Sequence, residues 1–216
     1  MNAKNIKVDI WSDFVCPFCY IGRKKFEEAL KETDLWGKVE MNYRSLELDP
    51  TKERNKEADP VQQFADKYEM PLGKAQRIME KTQAKVEAEG LSYNYNKTVA
   101  ANTFNAHRLN YYAKEFGKSE EVTTKILNGH FAKSLDIGDL EVLSKIGEDV
   151  GLNKDEIMKM FHSNQYYLEI ENDRKMAEKL NVDLVPTYII NDKHRISGIL
   201  SSEDYLELLK KVKEED

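Results

Sequence analysis

The segment Val8-Asp9-Ile10-Trp11-Ser12-Asp13-Phe14-Val15-Cys16-Pro17-Phe18-Cys19-Tyr20-Ile21-Gly22 holds both cysteines of the 216-residue chain, three positions apart. A strand-like run, Val8 to Trp11, leads into it, and a helix-like run, Gly22 to Leu30, leads out. Strand, Cys-X-X-Cys, helix is the layout of a thiol–disulfide redox site. The first turn of a helix carries unpaired N–H groups and the positive end of the macrodipole, which stabilise a thiolate placed there. Pro17 has no N–H to lose and its φ is preset for that turn. Cys16 is then the exposed nucleophile. Cys19, one turn on and on the same side, is the resolving thiol.

Other uses of the pair fit less well. A zinc site needs four ligands, and the chain has two cysteines and four histidines without ligand spacing. A disulfide closing so small a loop gains little from unfolded-state entropy, so it works as a reagent rather than a staple.

Composition sets outer bounds. The chain is 40% hydrophobic and 33% charged with net charge −6, which suits a globular protein with a charged surface and argues against a nucleic-acid face. No apolar run approaches the ~20 residues that span a bilayer. The start, Met1 to Lys7, has no apolar signal-like core, so a cytoplasmic location is expected. In a reducing compartment a lone Cys-X-X-Cys is catalytic or redox-sensing more often than structural.

Outward from the motif, a strand is expected over Ile6–Ser12, a helix to about Thr33 and a second strand over Val39–Leu46. The polar stretch Asp49 to Pro60 reads as a surface connection. From Val61 the period becomes helical. Its apolar faces are Leu72, Ala75, Ile78, Met79, Thr82 and Val86; Leu109, Tyr112, Ala113 and Phe116; Val122, Ile126, Leu127 and Phe131; and Leu140, Leu143, Gly147 and Val150. Asp139 is the expected N-cap of that last helix and Gly151 its expected C-cap. A long helix from Asn164 to Leu180, a β-rich run Val185 to Ile190, a hairpin partner Arg195-Ile196-Ser197 and a final helix over Ser202–Val212 complete the chain. The fold class is therefore α/β. Residues 1–60 with 164–216 form one discontinuous domain, and residues 61–163 form an all-helical insertion.

Val185-Pro186-Thr187 is the second signal. Alone it reads as an ordinary strand entry, where proline is tolerated. With Cys16-Pro17-Phe18-Cys19 far upstream, it resembles the cis-proline loop of the thioredoxin superfamily. The whole order resembles a DsbA-like thioredoxin fold with an inserted all-helical domain, and more narrowly the FrnE-like branch. Ser12 to Gly22, Asn105 to Leu109, Asp136 to Leu143 and Val185 to Tyr188 carry the resemblance. It implies that Pro186 is cis and faces the Cys16 sulfur, that the Val185 backbone pairs with an extended substrate segment, and that Thr187 flanks the contact. It also implies that the helical insertion borders the substrate groove. Two positions depart from the family: Phe18 stands where Trp is frequent, and Gly198-Ile199-Leu200 where Gly-Ala-Gln is frequent.

The expected function is a thiol–disulfide oxidoreductase with a redox-active Cys16–Cys19 disulfide. Pro17, Phe18, Val185, Pro186 and Thr187 shape the site, and no metal is implied. Neither a P-loop nor a dinucleotide fingerprint is present, so electrons are exchanged with another thiol system and no cofactor is expected to stay bound. Glutathione is a candidate co-substrate. The partners expected are a disulfide- or thiol-bearing protein or small molecule and a thiol redox partner, with neither nucleic acid nor membrane. Two other classes compete. One is a glutathione-dependent isomerase or transferase of the 2-hydroxychromene-2-carboxylate isomerase or kappa type, whose members carry Ser where this chain has Cys16. The other is a non-enzymatic binding or chaperone module. Asp13 reads as a turn group, Tyr20 as packing, His107 as a satisfied histidine, and Arg23-Lys24-Lys25 as a solvated face.

Overall fold

The computed structural model describes residues 6–53 and 59–215. Among them the order is β1 (Ile6–Ser12), α1 (Pro17–Glu32), β2 (Val39–Ser45), α2 (Pro60–Lys67), α3 (Leu72–Ala88), a 3-10 turn (Tyr95–Lys97), α4 (Phe104–Glu115), α5 (Ser119–Phe131), α6 (Leu140–Glu148), α7 (Lys154–Phe161), α8 (Tyr167–Lys179), β3 (Thr187–Ile190), β4 (His194–Ser197) and α9 (Ser202–Glu215). The chain divides into two compact units, Met1–Leu46 with Asn172–Asp216, and Glu47–Glu171.

The first unit holds one four-stranded sheet in the order β2-β1-β3-β4. β1 and β2 are parallel, which requires the α1 crossover, while β3 runs antiparallel to both β1 and β4. Alternation along β1 sends Ile6, Val8 and Ile10 into a core with Phe26 and Leu30 of α1, Tyr188 and Ile190 of β3, and Tyr205 and Leu209 of α9.

Asp9 and Trp11 of β1 take the opposite face. There Arg44 of β2 donates from Nε to Asp9 at 2.9 Å and from Nη1 to Asp173 of α8 at 3.2 Å. Asp173 also accepts the Ser45 N–H at 2.8 Å, and its carbonyl accepts the Trp11 indole N–H at 3.2 Å. Both carboxylates are buried, and this pairing is what makes their burial tolerable.

In the helical unit the expected faces are largely observed. Val122, Ile126, Leu127 and Phe131 are buried, as are Leu143 and Val150. Asp139 caps α6, accepting the N–H groups of Glu141 and Val142. Leu72 and Phe116 are instead exposed, because each stands at a helix end that neighbouring turns do not cover. A helix that the periodicity did not separate, α7, starts where Asn153 accepts the Glu156 N–H at 3.0 Å.

Two boundaries shift. β3 begins at Thr187 rather than Val185, since Pro186 has no N–H for a ladder, and α8 begins at Tyr167 rather than Asn164. The expected surface connection contains no helix or strand over 46–53; its positions 54–58 lie outside the described residues, as does the N-terminal run 1–5. No helix among the described residues is long and apolar enough to cross a membrane.

Candidate active site

Cys16 is the N-cap of α1, with extended backbone at φ −91° and ψ 112°. Its carbonyl accepts the N–H groups of Cys19 at 3.0 Å and Tyr20 at 3.3 Å, opening the helix. Pro17 occupies the first turn, where its missing N–H costs no bond. The cap side chain is thus a sulfur in the place where serine or aspartate usually caps a helix, lying close to the positive helix end.

The Val185–Pro186 peptide is cis. The Cys16 thiol lies 3.7 Å from the Val185 carbonyl oxygen and donates to it. Thus residues 169 positions apart meet at one point. Around them the loop is held on both sides: the Pro186 carbonyl accepts the Gly198 N–H at 2.8 Å, and the Thr187 hydroxyl donates to the Leu184 carbonyl at 2.8 Å. Thr187 is wholly buried. Phe18, between the cysteines, is 37% exposed, so its ring flanks the motif at the surface.

Cys19 packs with Cys16, Trp11, Ala177, Val182 and Val185. Burial pushes its thiol well above the ordinary value of 9.0; hydrogen bonding to Cys16 and the Cys16 charge push the same way, while the Ser12 side chain and the Asp13 backbone oppose it. Cys19 is therefore held as a thiol. Both cysteines are free in this structure.

Gly22, one turn after Cys19, is required by space. A Cβ there would lie 3.0 Å from the Tyr188 hydroxyl and 3.1 Å from Cγ of Pro186. Its absence lets α1 approach the cis-proline loop.

A family model described as a DSBA-like thioredoxin domain matches residues 7–210. The chain belongs to this family. The DsbA-like assignment covers the β1–α1 motif and the cis-proline loop alike. A relative, the uncharacterized protein YwbO of Bacillus subtilis (strain 168), is 30% identical over 188 residues, 87% of this chain and 88% of that protein. The crystal structure of a probable DsbA oxidoreductase from Streptomyces coelicolor superposes with a TM-score of 0.87 at 31% identity, covering 98% of this chain and 91% of that one. The cytosolic disulfide reductase DsbM of Pseudomonas aeruginosa, solved with GSH, shares the fold with a TM-score of 0.67 at 13% identity, covering 96% of this chain and 99% of that one.

The remaining singled-out residues of this DsbA-like chain have structural surroundings. Asp13 is buried and its carboxylate accepts the Phe14 N–H at 2.7 Å, a turn contact. Tyr20 is buried, and burial raises its hydroxyl above the usual range. His107 is buried in the helical unit. The neighbouring Arg108 donates to the carbonyls of Phe161 at 3.2 Å, Ser163 at 2.8 Å, Gln165 at 2.9 Å and Met160, and to Asn105 Oδ1 at 2.8 Å. It satisfies the carbonyl end of α7.

Arg23 departs from expectation. Its side chain is 13% exposed, donating from Nε to the Tyr43 hydroxyl at 3.2 Å and pairing through Nη2 with Glu27 at 2.5 Å. Sequence reasoning missed this cluster, together with Ser12 and Gly22. The i, i+4 spacing of Arg23 and Glu27 was the one available signal. Nothing local showed that Tyr43 would stand beside them.

Proposed function

We propose that the Cys16–Cys19 dithiol catalyses thiol–disulfide exchange, with Cys16 as nucleophile and Cys19 as resolving thiol. The carrying observation is the meeting of the helix-capping Cys16 sulfur with the Val185 carbonyl beside cis-Pro186. The Cys16 thiolate attacks one sulfur of a substrate disulfide, and the other sulfur leaves as a thiolate. Cys19, deprotonated, then attacks the Cys16 sulfur. The mixed disulfide breaks, the Cys16–Cys19 disulfide forms, and the substrate takes both electrons. The reverse sequence oxidises a dithiol substrate.

Pro17, Phe18, Val185, Pro186 and Thr187 shape the approach. An extended substrate segment pairs with the Val185 backbone, in the manner of strand addition, while Phe18 borders it. Substrates are thiol- or disulfide-bearing proteins or small molecules. Glutathione is a co-substrate on this reading, which the GSH complex of the Pseudomonas reductase supports by analogy. The setting is cytoplasmic. Direction follows from the reduction potential against the compartment, about 1.4 kcal/mol for every 30 mV.

Serine variants test the division of labour. Cys16→Ser is expected to reduce exchange with a disulfide substrate to background. Cys19→Ser is expected to accumulate mixed disulfides on Cys16. Full turnover in either variant would overturn the mechanism.

A further inference from the structure

Between α1 and the sheet lies a cavity of about 10 Å³, whose polar side is lined by Ser12, Cys19, Arg23, Glu27, Tyr43 and Tyr188. That is room for about one water, and the lining offers more than the two to four polar partners a buried water needs. Arg23 binds both Tyr43 and Glu27, so the guanidinium fixes the carboxylate at the cavity. The Glu27 side chain is 18% exposed, with Oε1 fully enclosed, so its carboxylate touches both the cavity and solvent.

We propose that Glu27 is a positioning residue that conducts the Cys19 proton to solvent through a single water held in this cavity. The proposal rests on Cys19 being the resolving thiol. In that step the Cys19 S–H bond breaks and its proton passes by way of the water to the Glu27 carboxylate and then to bulk solvent. The freed electron pair on sulfur forms the bond to Cys16, and the substrate sulfur departs with the electrons of the broken S–S bond. No outside oxidant is needed, because the substrate disulfide accepts the two electrons.

The surroundings favour Glu27 as the acceptor. The other ionisable groups facing Cys19 are Cys16 and Arg23 on α1, Tyr43 on β2, Tyr188 on β3 and Tyr205 on α9. Burial pushes the Tyr188 and Tyr205 hydroxyls up, so both stay protonated at neutral pH. Arg23 is a cation. Glu27 is the one carboxylate lining the cavity. The Asp13 carboxylate does not line it and accepts the Phe14 N–H. Burial holds Cys19 protonated, so resolution needs such an exit.

Reaction of the reduced full chain with dithiobis(nitrobenzoate) separates the steps. Attack by Cys16 releases one coloured thiolate, and attack by Cys19 on the mixed disulfide releases a second. Glu27→Gln is expected to leave the first release unchanged and slow the second by about tenfold or more at neutral pH, moving its rise to higher pH. Glu27→Asp is expected to recover part of the rate. A second release with wild-type rate and pH profile in Glu27→Gln would overturn the proposal while leaving the dithiol reading intact. Absence of both releases in the wild-type protein would instead overturn the dithiol reading, and this proposal with it. If Glu27→Gln fails to fold, the wild-type protein in D₂O decides: the second release alone slows if the proton moves in that step, and unchanged rates overturn the proposal.

Discussion

Cys19 in the sheet-bearing unit and Arg108 in the helical unit are both ionisable and both buried. Arg108 spends its donors on the carbonyls that end α7, and its surroundings are complete. Cys19 lies beside a second sulfur and a small polar cavity, and burial holds it in the form that cannot attack. Burial of an ionisable group therefore does not by itself mark a site. What marks one is whether the group's surroundings leave chemistry open.

That contrast can be broken by mutation. Cys16→Ser should remove exchange activity with a small change in melting temperature, since the sulfur's packing volume is nearly kept. Arg108→Ala should do the reverse. Leaving the buried carbonyls at the end of α7 unpaired should cost about 3 kcal/mol or more by urea denaturation, while molecules that remain folded keep their exchange rate. An Arg108→Ala protein with unaltered stability would show that the cap is not what holds α7.

Gly22→Ala sharpens the comparison inside the first unit. The added methyl would crowd Pro186 and the Tyr188 hydroxyl, so a loss of about 1–3 kcal/mol is expected, accompanied by slower exchange. Stability lost without any change in exchange would mean that the approach of α1 to the cis-proline loop matters only for packing.

The smallest effect concerns pH. Cys19 is raised in the folded state, so an unfolded thiol ionises first as pH climbs. The corresponding stabilisation is complete below the ordinary cysteine value and is lost as pH rises from about 9 toward the folded-state value. Thermal melts of the reduced protein should fall more steeply over that range than melts of reduced Cys19→Ser. Parallel curves would contradict the burial of the thiol.

The strand–Cys-X-X-Cys–helix core was legible because its logic is local: a cap position, a proline in the first turn and a dithiol one turn apart. Val185-Pro186 gained meaning only beside that motif. The helical faces were legible from period, apart from end residues such as Leu72 and Phe116, whose exposure depends on what covers a helix terminus. The Asp9–Arg44–Asp173 bridge was not legible. Arg44 and Asp173 are 129 positions apart, and the sheet register that sets Arg44 opposite Asp9 is not written in either segment. The Arg23–Glu27–Tyr43 group was hidden for the same reason. A charged helix start reads as solvated until a neighbouring strand is known to cover it.

The most direct test is redox equilibration of the wild-type protein in glutathione buffers of graded ratio, followed by acid quenching and mass spectrometry. The account predicts one reversible two-electron transition between the Cys16, Cys19 dithiol and their intramolecular disulfide. A protein that stays a dithiol at every ratio, or that collects only glutathione adducts without closing the disulfide, would contradict it.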